Sequence, residues 1–366
     1  MELAQIQTIP EVINVLKVLG TGFLAFLIAF FLTPVLSYFL YKYKIGIKIK
    51  ENSVDGQKLT YISELHKKKD GTPTMGGALV WFSVLVLILL SEYVFPYIAV
   101  FFNKNCIAKL DFFSRSQTWL PLFALVSAGV LGLFDDWMSI KGIGKNKGGG
   151  MRFLSRFGWL ILIAVLGALW FYFKLGWDVL HIPAVGDISI GFWYIPLFVF
   201  VILFAAISSN EADGLDGLNG GILSIAYGAF TLIAFFQNKM DLAAFCAAIA
   251  GALLAFLWFN IYPARFFMGD TGAMSLGATL GVVAMLTNSA LVLFIIVFIY
   301  IIESGSVAIQ LTSKKLFKRK IFLAAPIHHH FEAKGWPETK VTMRFWIITI
   351  LTAMLGVIIG ILGMGK

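Results

Sequence analysis

Charge is scarce in this 366-residue chain: 13% of its residues are Asp, Glu, Lys or Arg, against about a quarter in a soluble domain. That shortage excludes an ordinary water-soluble fold. Cysteine is also scarce. Cys106 lies in a connecting segment and Cys246 inside an apolar run, so no disulfide framework is implied. The first 18 residues carry Glu2, Glu11 and one Lys17, which is not the basic start of a cleaved signal. No repeat of 20–50 residues and no low-complexity tract is evident.

What fills the chain is apolar sequence. Hydrophobic residues make up 59%, in runs of about 20, each long enough to cross a ~30 Å hydrocarbon core. The runs lack the alternation of barrel strands, and in lipid a segment must satisfy its own backbone polar groups, which leaves helices. The expectation is an all-α polytopic integral membrane protein forming one domain over 1–366. Ten transmembrane helices are expected near 19–41, 76–100, 119–136, 158–173, 193–209, 218–236, 242–259, 272–287, 290–311 and 345–364. Loops following the odd-numbered spans hold 22 of the 29 Lys and Arg residues. The excess of Lys and Arg marks the cytoplasmic side. Both termini are therefore expected outside, in the periplasm. The net charge of +9 is sorted by membrane side and is not a nucleic-acid signal. Residues 174–192 alternate loosely and carry Gly186-Asp187, which predicts a small external hairpin. His181 reads there as an ordinary loop histidine.

Polar clusters collect at the cytoplasmic ends. Asp135 and Asp136 close the third span, and neighbours about 100° apart on a helix do not both face one cavity. Asn210-Glu-Ala-Asp213-Gly214-Leu215-Asp216 joins two spans without a positive charge and suits a polar pocket. Asp270, just ahead of an apolar run, is either a helix N-cap or a ligand for Mg²⁺, which takes carboxylate oxygens, waters and substrate phosphates. His328-His329-His330 stand consecutively in a basic loop. Three adjacent side chains diverge and no suitably spaced fourth ligand accompanies them, so donation to phosphate is favoured over zinc. Lys69 ends a run of three lysines that is positive-inside charge or reaches a diphosphate. Gly148-Gly149-Gly150 reads as a linker. Glu303 interrupts the ninth span, where a charge is costly, and is read as buried, hydrogen-bonded and structural, with Ser304 and Gly305 offering a bend. A secondary transporter would hold its ionisable groups near the midplane. Only Glu303 suits that.

Gly71-Thr-Pro-Thr-Met-Gly-Gly77, Phe134-Asp-Asp136, Asp213-Gly-Leu-Asp-Gly-Leu218, Asn260 with Phe267-Met-Gly-Asp270, and Pro326-Ile-His-His-His-Phe-Glu332 with Gly335-Trp-Pro-Glu338 occur in order. In these motifs the chain resembles the phospho-N-acetylmuramoyl-pentapeptide transferases over essentially its whole length. Sibling transferases that use UDP-N-acetylglucosamine share the aspartate clusters with a different histidine loop. The resemblance implies a Mg²⁺-dependent, homodimeric enzyme of the bacterial cytoplasmic (inner) membrane. Its reaction would take UDP-N-acetylmuramoyl-pentapeptide and undecaprenyl phosphate to lipid I and UMP. By position, Asp135 corresponds to the acceptor of the lipid phosphate's proton, Asp270 to the metal ligand, and Asp136 to a residue beside them. Lys69, Asn210, Asp213, Gly214, Leu215, Asp216, Asn260 and Phe267 correspond to the substrate-binding side, with Phe267 stacking on uracil. His328, His329 and His330 line the diphosphate and the sugar-peptide entrance. The chain departs from the family at Ser139 and Gly158, where lysines are usual, at Glu211-Ala212 for Leu-Thr, and at Thr271 and Ala273. The expectation is that Lys141, then Lys145, supplies the missing cation, with Arg156 across the loop.

Overall fold

The computed structural model describes residues 2–43, 45–46, 69, 71–94, 96–97, 112, 117–144 and 149–363. Cys106, Lys145 and Gly148 lie outside them. The described chain is a bundle of helices: α1 (Glu2–Lys42), α2 (Ala78–Leu89, running on through a π-helical turn to Val94), α3 (Trp119–Ile140), α4 (Phe153–Leu169, continued to Lys174), α5 (Tyr194–Glu211), α6 (Leu218–Phe236), α7 (Met240–Asn260), α8 (Gly269–Leu286), α9 (Ala290–Ile296), α10 (Phe298–Phe317), α11 (Ile327–Ala333) and α12 (Glu338–Leu362). Among the described residues eight helices are long and apolar enough to cross a membrane, or nine with α9 and α10 taken as one bent span. The second expected span is seen as a shorter apolar helix, Ala78–Val94.

The helices differ by what they face. Along α12, Ile347, Leu351, Met354, Leu355, Ile358 and Leu362 are exposed, which suits contact with lipid tails. In α8 every residue from Thr271 to Leu286 is buried. Its hydroxyls cost little there because each finds a carbonyl, Ser275 donating to Thr271 O and Thr279 to Ser275 O at 2.7 Å within the helix, and Thr271 to Gly129 O of α3 at 3.1 Å. Small residues let α3 and α2 come close to its first turn. A Cβ on Gly132 would stand 2.4 Å from the Asp270 carbonyl oxygen, and one on Gly77 would stand 2.3 Å from the Gly272 Cα. The helix that carries Asp270 is therefore enclosed.

Two expectations are corrected in detail. The bend in the ninth span falls at Val297, where α9 and α10 meet at 82°; Ser304 and Gly305 sit within a continuous α10. The hairpin exists, with β1 (Val179–Ile182) antiparallel to β2 (Gly186–Ser189) and His181 opposite Asp187. Its reversal is made by Pro183, Ala184 and Val185, so Gly186-Asp187 opens the return strand instead of forming the turn.

Candidate active site

The site is assembled around the start of α8. The segment Pro73–Gly77 lies along Phe267-Met268: the Phe267 amide donates to Pro73 O, the Gly76 amide to Phe267 O, and the Gly77 amide to Met268 O, each at 2.8 Å. Gly269 then turns the chain into α8 with φ of 73°, and a Cβ there would lie 2.6 Å from an oxygen of Asp136. The first amides of a helix have no partner within it. Here acids from elsewhere supply them. Asp213 Oδ2 accepts from the Gly269 amide at 3.1 Å, and Asp136 accepts from the Asp270 and Thr271 amides at 3.2 and 3.1 Å. Negative charge at a helix N-terminus also favours the helix dipole. The capping role open to Asp270 thus falls to Asp136 and Asp213. Both oxygens of Asp136 are engaged by backbone, so it faces α8, whereas Asp135 turns to Arg156 and the Met151 amide. Burial holds the Asp213 carboxyl well above the usual carboxylate range, although the Gly269 amide works against it.

Asp135 and Asp270 meet on one cation. Arg156, in the first turn of α4, donates from Nη1 to Asp135 Oδ2 at 3.0 Å and, through a shorter contact, to Asp270 Oδ2. The Met151 amide donates to the other oxygen of Asp135. Asn210 donates to Asp270 Oδ1 at 2.5 Å. Lys141, expected to fill this place, is exposed at the end of α3. Arg156 reaches the acids because it rides on a helix that packs against α3. Beside it, Phe153, Phe157, Leu160, Ala206, Ile207 and Met274 line a small apolar cleft with Arg156 and Asn210 at its polar end.

A second cluster adjoins the first. Lys69 Nζ lies 2.6 Å from Asp216 Oδ1, 2.5 Å from Glu338 Oε1 and 5.7 Å from the centre of the Phe267 ring. Glu338 Oε1 also accepts from the Asp216 amide at 2.6 Å, and Asp216 Oδ2 accepts from the Ala264 amide at 3.0 Å. Asn260 ties the two loops together, accepting from the Gly217 amide at 3.0 Å and donating to Phe266 O at 2.9 Å. Leu215 is buried beneath them.

The three histidines, expected to diverge from a loop, lie in the short helix α11 with the rings of His328 and His329 only 4.1 Å apart, and each takes a different partner. His328 is wholly buried against Glu303, Nδ1 to Oε2 at 2.9 Å. His329 Nδ1 lies 2.7 Å from Glu332 Oε2. His330 Nδ1 accepts from the Leu323 amide at 3.1 Å, and burial, then the nearby Lys334, lowers its pKa. Gln310 fixes the approach to this loop by bonding the backbone of Ile321 and Phe322. Among the described residues no three His, Cys, Asp or Glu side chains are grouped so as to hold a metal ion. Residue patterns alone did not single out Glu338 as the partner of Lys69, although Gly335-Trp-Pro-Glu338 was a visible motif. Arg156 was legible only as a charge across the loop.

The Glycosyl transferase family 4 model matches residues 118–288, which span the acids, Arg156 and the 210–218 loop. Across nearly the whole chain there are relatives named phospho-N-acetylmuramoyl-pentapeptide-transferase. One from Geobacillus sp. (strain WCH70) is 37% identical over 341 residues, 92% of this chain and 95% of the relative. One from Bacillus subtilis (strain 168) is 36% identical over 344 residues, 93% and 97% of the two chains. The chain belongs to the phospho-N-acetylmuramoyl-pentapeptide transferase family. A third transferase, from Levilactobacillus brevis, is 39% identical over 295 residues, 80% of this chain and 85% of its own. Membership makes this chain a phosphoglycosyl transferase and a multi-pass protein of the bacterial inner membrane. Secondary transport is thereby set aside. Asp135, Asp136 and Asp213 meet the start of α8, Lys69 lies over Phe267 just ahead of it, and His328 on α11 packs against Gly214 of the 210–218 loop.

Proposed function

We propose that this enzyme transfers phospho-N-acetylmuramoyl-pentapeptide from its UDP carrier to undecaprenyl phosphate, releasing UMP and forming lipid I. The observation that carries the proposal is the meeting of Asp135 and Asp270 on Arg156, a residue that also lines a small apolar cleft. An acceptor whose tail needs lipid and whose phosphate needs charge suits that junction. An oxygen of the lipid phosphate attacks the β-phosphorus, the bond from that phosphorus to the bridging oxygen breaks, and UMP leaves with the electron pair. Asp135 is placed to take a proton from the lipid phosphate, and Arg156 to neutralise the incoming anion. Lys69, Asp216, Asn260 and Phe267 form the nucleotide side, with Phe267 available to stack on uracil. His329 and His330 face the sugar and peptide.

Enzymes of this family depend on Mg²⁺, and the donor set here fits such an ion. Two carboxylates already converge on one cationic nitrogen, Arg156 Nη1. A hard ion that keeps waters and binds substrate phosphates asks for that arrangement. Asp270 would hold it, with Asp135 beside it as the proton acceptor, and it would stabilise charge on the departing phosphate. The same proposal includes one transmembrane domain over 1–366 and ten spans, with both termini and the 179–189 hairpin periplasmic and the site cytoplasmic. It also includes the homodimer that the family resemblance implies. Support for the orientation comes from the sorting of Lys and Arg between loops. The test supplies purified protein with Mg²⁺, undecaprenyl phosphate and one UDP-sugar at a time, and follows UMP. Release with UDP-N-acetylmuramoyl-pentapeptide is expected. Release only with UDP-N-acetylglucosamine would assign the sibling reaction instead.

A further inference from the structure

Glu303 and His328 are both fully buried, and the reaction outlined above gives Glu303 no task. A carboxyl in an apolar helix is costly, and so is each buried polar atom without a partner. This pair keeps two such atoms among the described residues, Glu303 Oε1 and His328 Nε2. Their arrangement is specific. Glu303 Oε2 engages His328 Nδ1 at 2.9 Å. The opposite ring nitrogen is turned to the loop between α5 and α6, where a Cβ on Gly214 would stand 2.3 Å from Nε2. That loop continues directly into Asp216, which holds Lys69. The hydrogen bond made by one nitrogen of an imidazole sets the tautomer and orientation of the other.

We propose that Glu303 is a positioning residue for nucleotide binding. By accepting the Nδ1 proton it holds the His328 ring edge-on to Gly214, and so sets the height of the Asp213–Gly217 loop that presents Asp216 and Lys69. Gly214 belongs to the same device, because any side chain there would collide with the ring. The groups facing the pair are Glu211 on α5, which accepts from Ser304 Oγ at 2.5 Å, Tyr300 on α10, and His329 on α11, whose ring centre lies 4.1 Å from that of His328. This inference rests on the assignment of that loop to the UDP side.

The test compares Glu303→Gln, which can still accept the Nδ1 proton, with Glu303→Met, which fills the space and cannot. Initial rates are taken against each substrate separately. Glu303→Met is expected to raise KM for the UDP-sugar about tenfold, the scale of one lost hydrogen bond to a charged group, with KM for the lipid phosphate unchanged. Glu303→Gln should stay within about threefold of wild type, since its acceptor remains. The double variant Glu303→Met with His328→Ala should be no worse than His328→Ala alone, because coupled residues are not additive. Equal behaviour of the Gln and Met variants would overturn the proposal, as would effects that multiply in the double variant. A Met variant that does not fold beside a Gln variant that does would assign the contact to folding and also overturn it. Wild-type turnover in the same assay separates any of these from failure of the assigned reaction.

Discussion

Replacing Arg156 with alanine should weaken turnover and, at the same time, tighten the enzyme's hold on Mg²⁺. The guanidinium Nη1 is shared between Asp135 and Asp270, whose side chains are 7% and 21% exposed. It thus occupies the position where a divalent ion would find the same oxygens, and the two cations compete. A hydrogen bond to a charged group is worth about 1.5–3 kcal/mol net. Removing the competitor should therefore lower the Mg²⁺ concentration for half-maximal rate by roughly tenfold or more, taking 1.4 kcal/mol per factor of ten. Turnover should fall all the same, because the incoming lipid phosphate loses its donor. The loss of one such donor in a desolvated site costs about 10²–10³-fold. Arg156→Lys should recover part of the rate, since it restores charge without the fork. The assay is UMP release at saturating substrates across a Mg²⁺ series, with Lys141→Ala as the comparison, expected within about threefold because exposed charges contribute little. An Arg156→Ala enzyme with a normal maximal rate, or one needing more Mg²⁺, would refute the competition argument. Collapse in Lys141→Ala alone would return the role to the lysine that the motifs first suggested.

Three further outcomes can be checked. Asp136→Asn leaves one acceptor oxygen for the Asp270 and Thr271 amides, so thermal unfolding in detergent should show a loss of about 1–2 kcal/mol, as for a removed helix cap. Gly132→Ala puts a methyl against the Asp270 carbonyl, and overpacking of this kind costs about 1–3 kcal/mol; stability and turnover should fall together because α3 carries Asp135 away from α8. In a variant lacking the native cysteines, a cysteine at Val185 should react with an impermeant thiol reagent in intact cells and one at Lys334 should not. The reverse labelling would invert the orientation.

How much of this was legible depended on whether the property lives in one segment or between two. Apolar runs are local, so most helices were visible in the chain. The alternation near His181 announced the hairpin, though the turn chemistry misplaced its reversal by a few residues. The bend at Val297 was not legible. No proline or glycine marks it, and it arises where α9 packs on α12 and α10 turns toward α5. The acids were legible as a group. Their division of labour was not, because a carboxylate's oxygens are assigned by whichever amides stand opposite, and Asp136 meets those of Asp270 and Thr271. Lys141 was favoured over Arg156 by closeness in sequence to Ser139, whereas reach was decided by the packing of α4 on α3.

The capping of α8 by Asp136 bears on how the protein is made. The carboxylate and the two amides it engages are 134 and 135 residues apart in the chain. When α3 first enters the membrane, its terminal acid has no amides to receive, and water must serve until five helical segments later α8 arrives. The same closure brings Asp270 to Asp135. The pairing of the two acids therefore waits for α8, and the site is complete only when α11 and α12 follow with the histidines and Glu338. An insertion intermediate stalled before α8 would be inert by construction, without any separate inhibitor to keep it so.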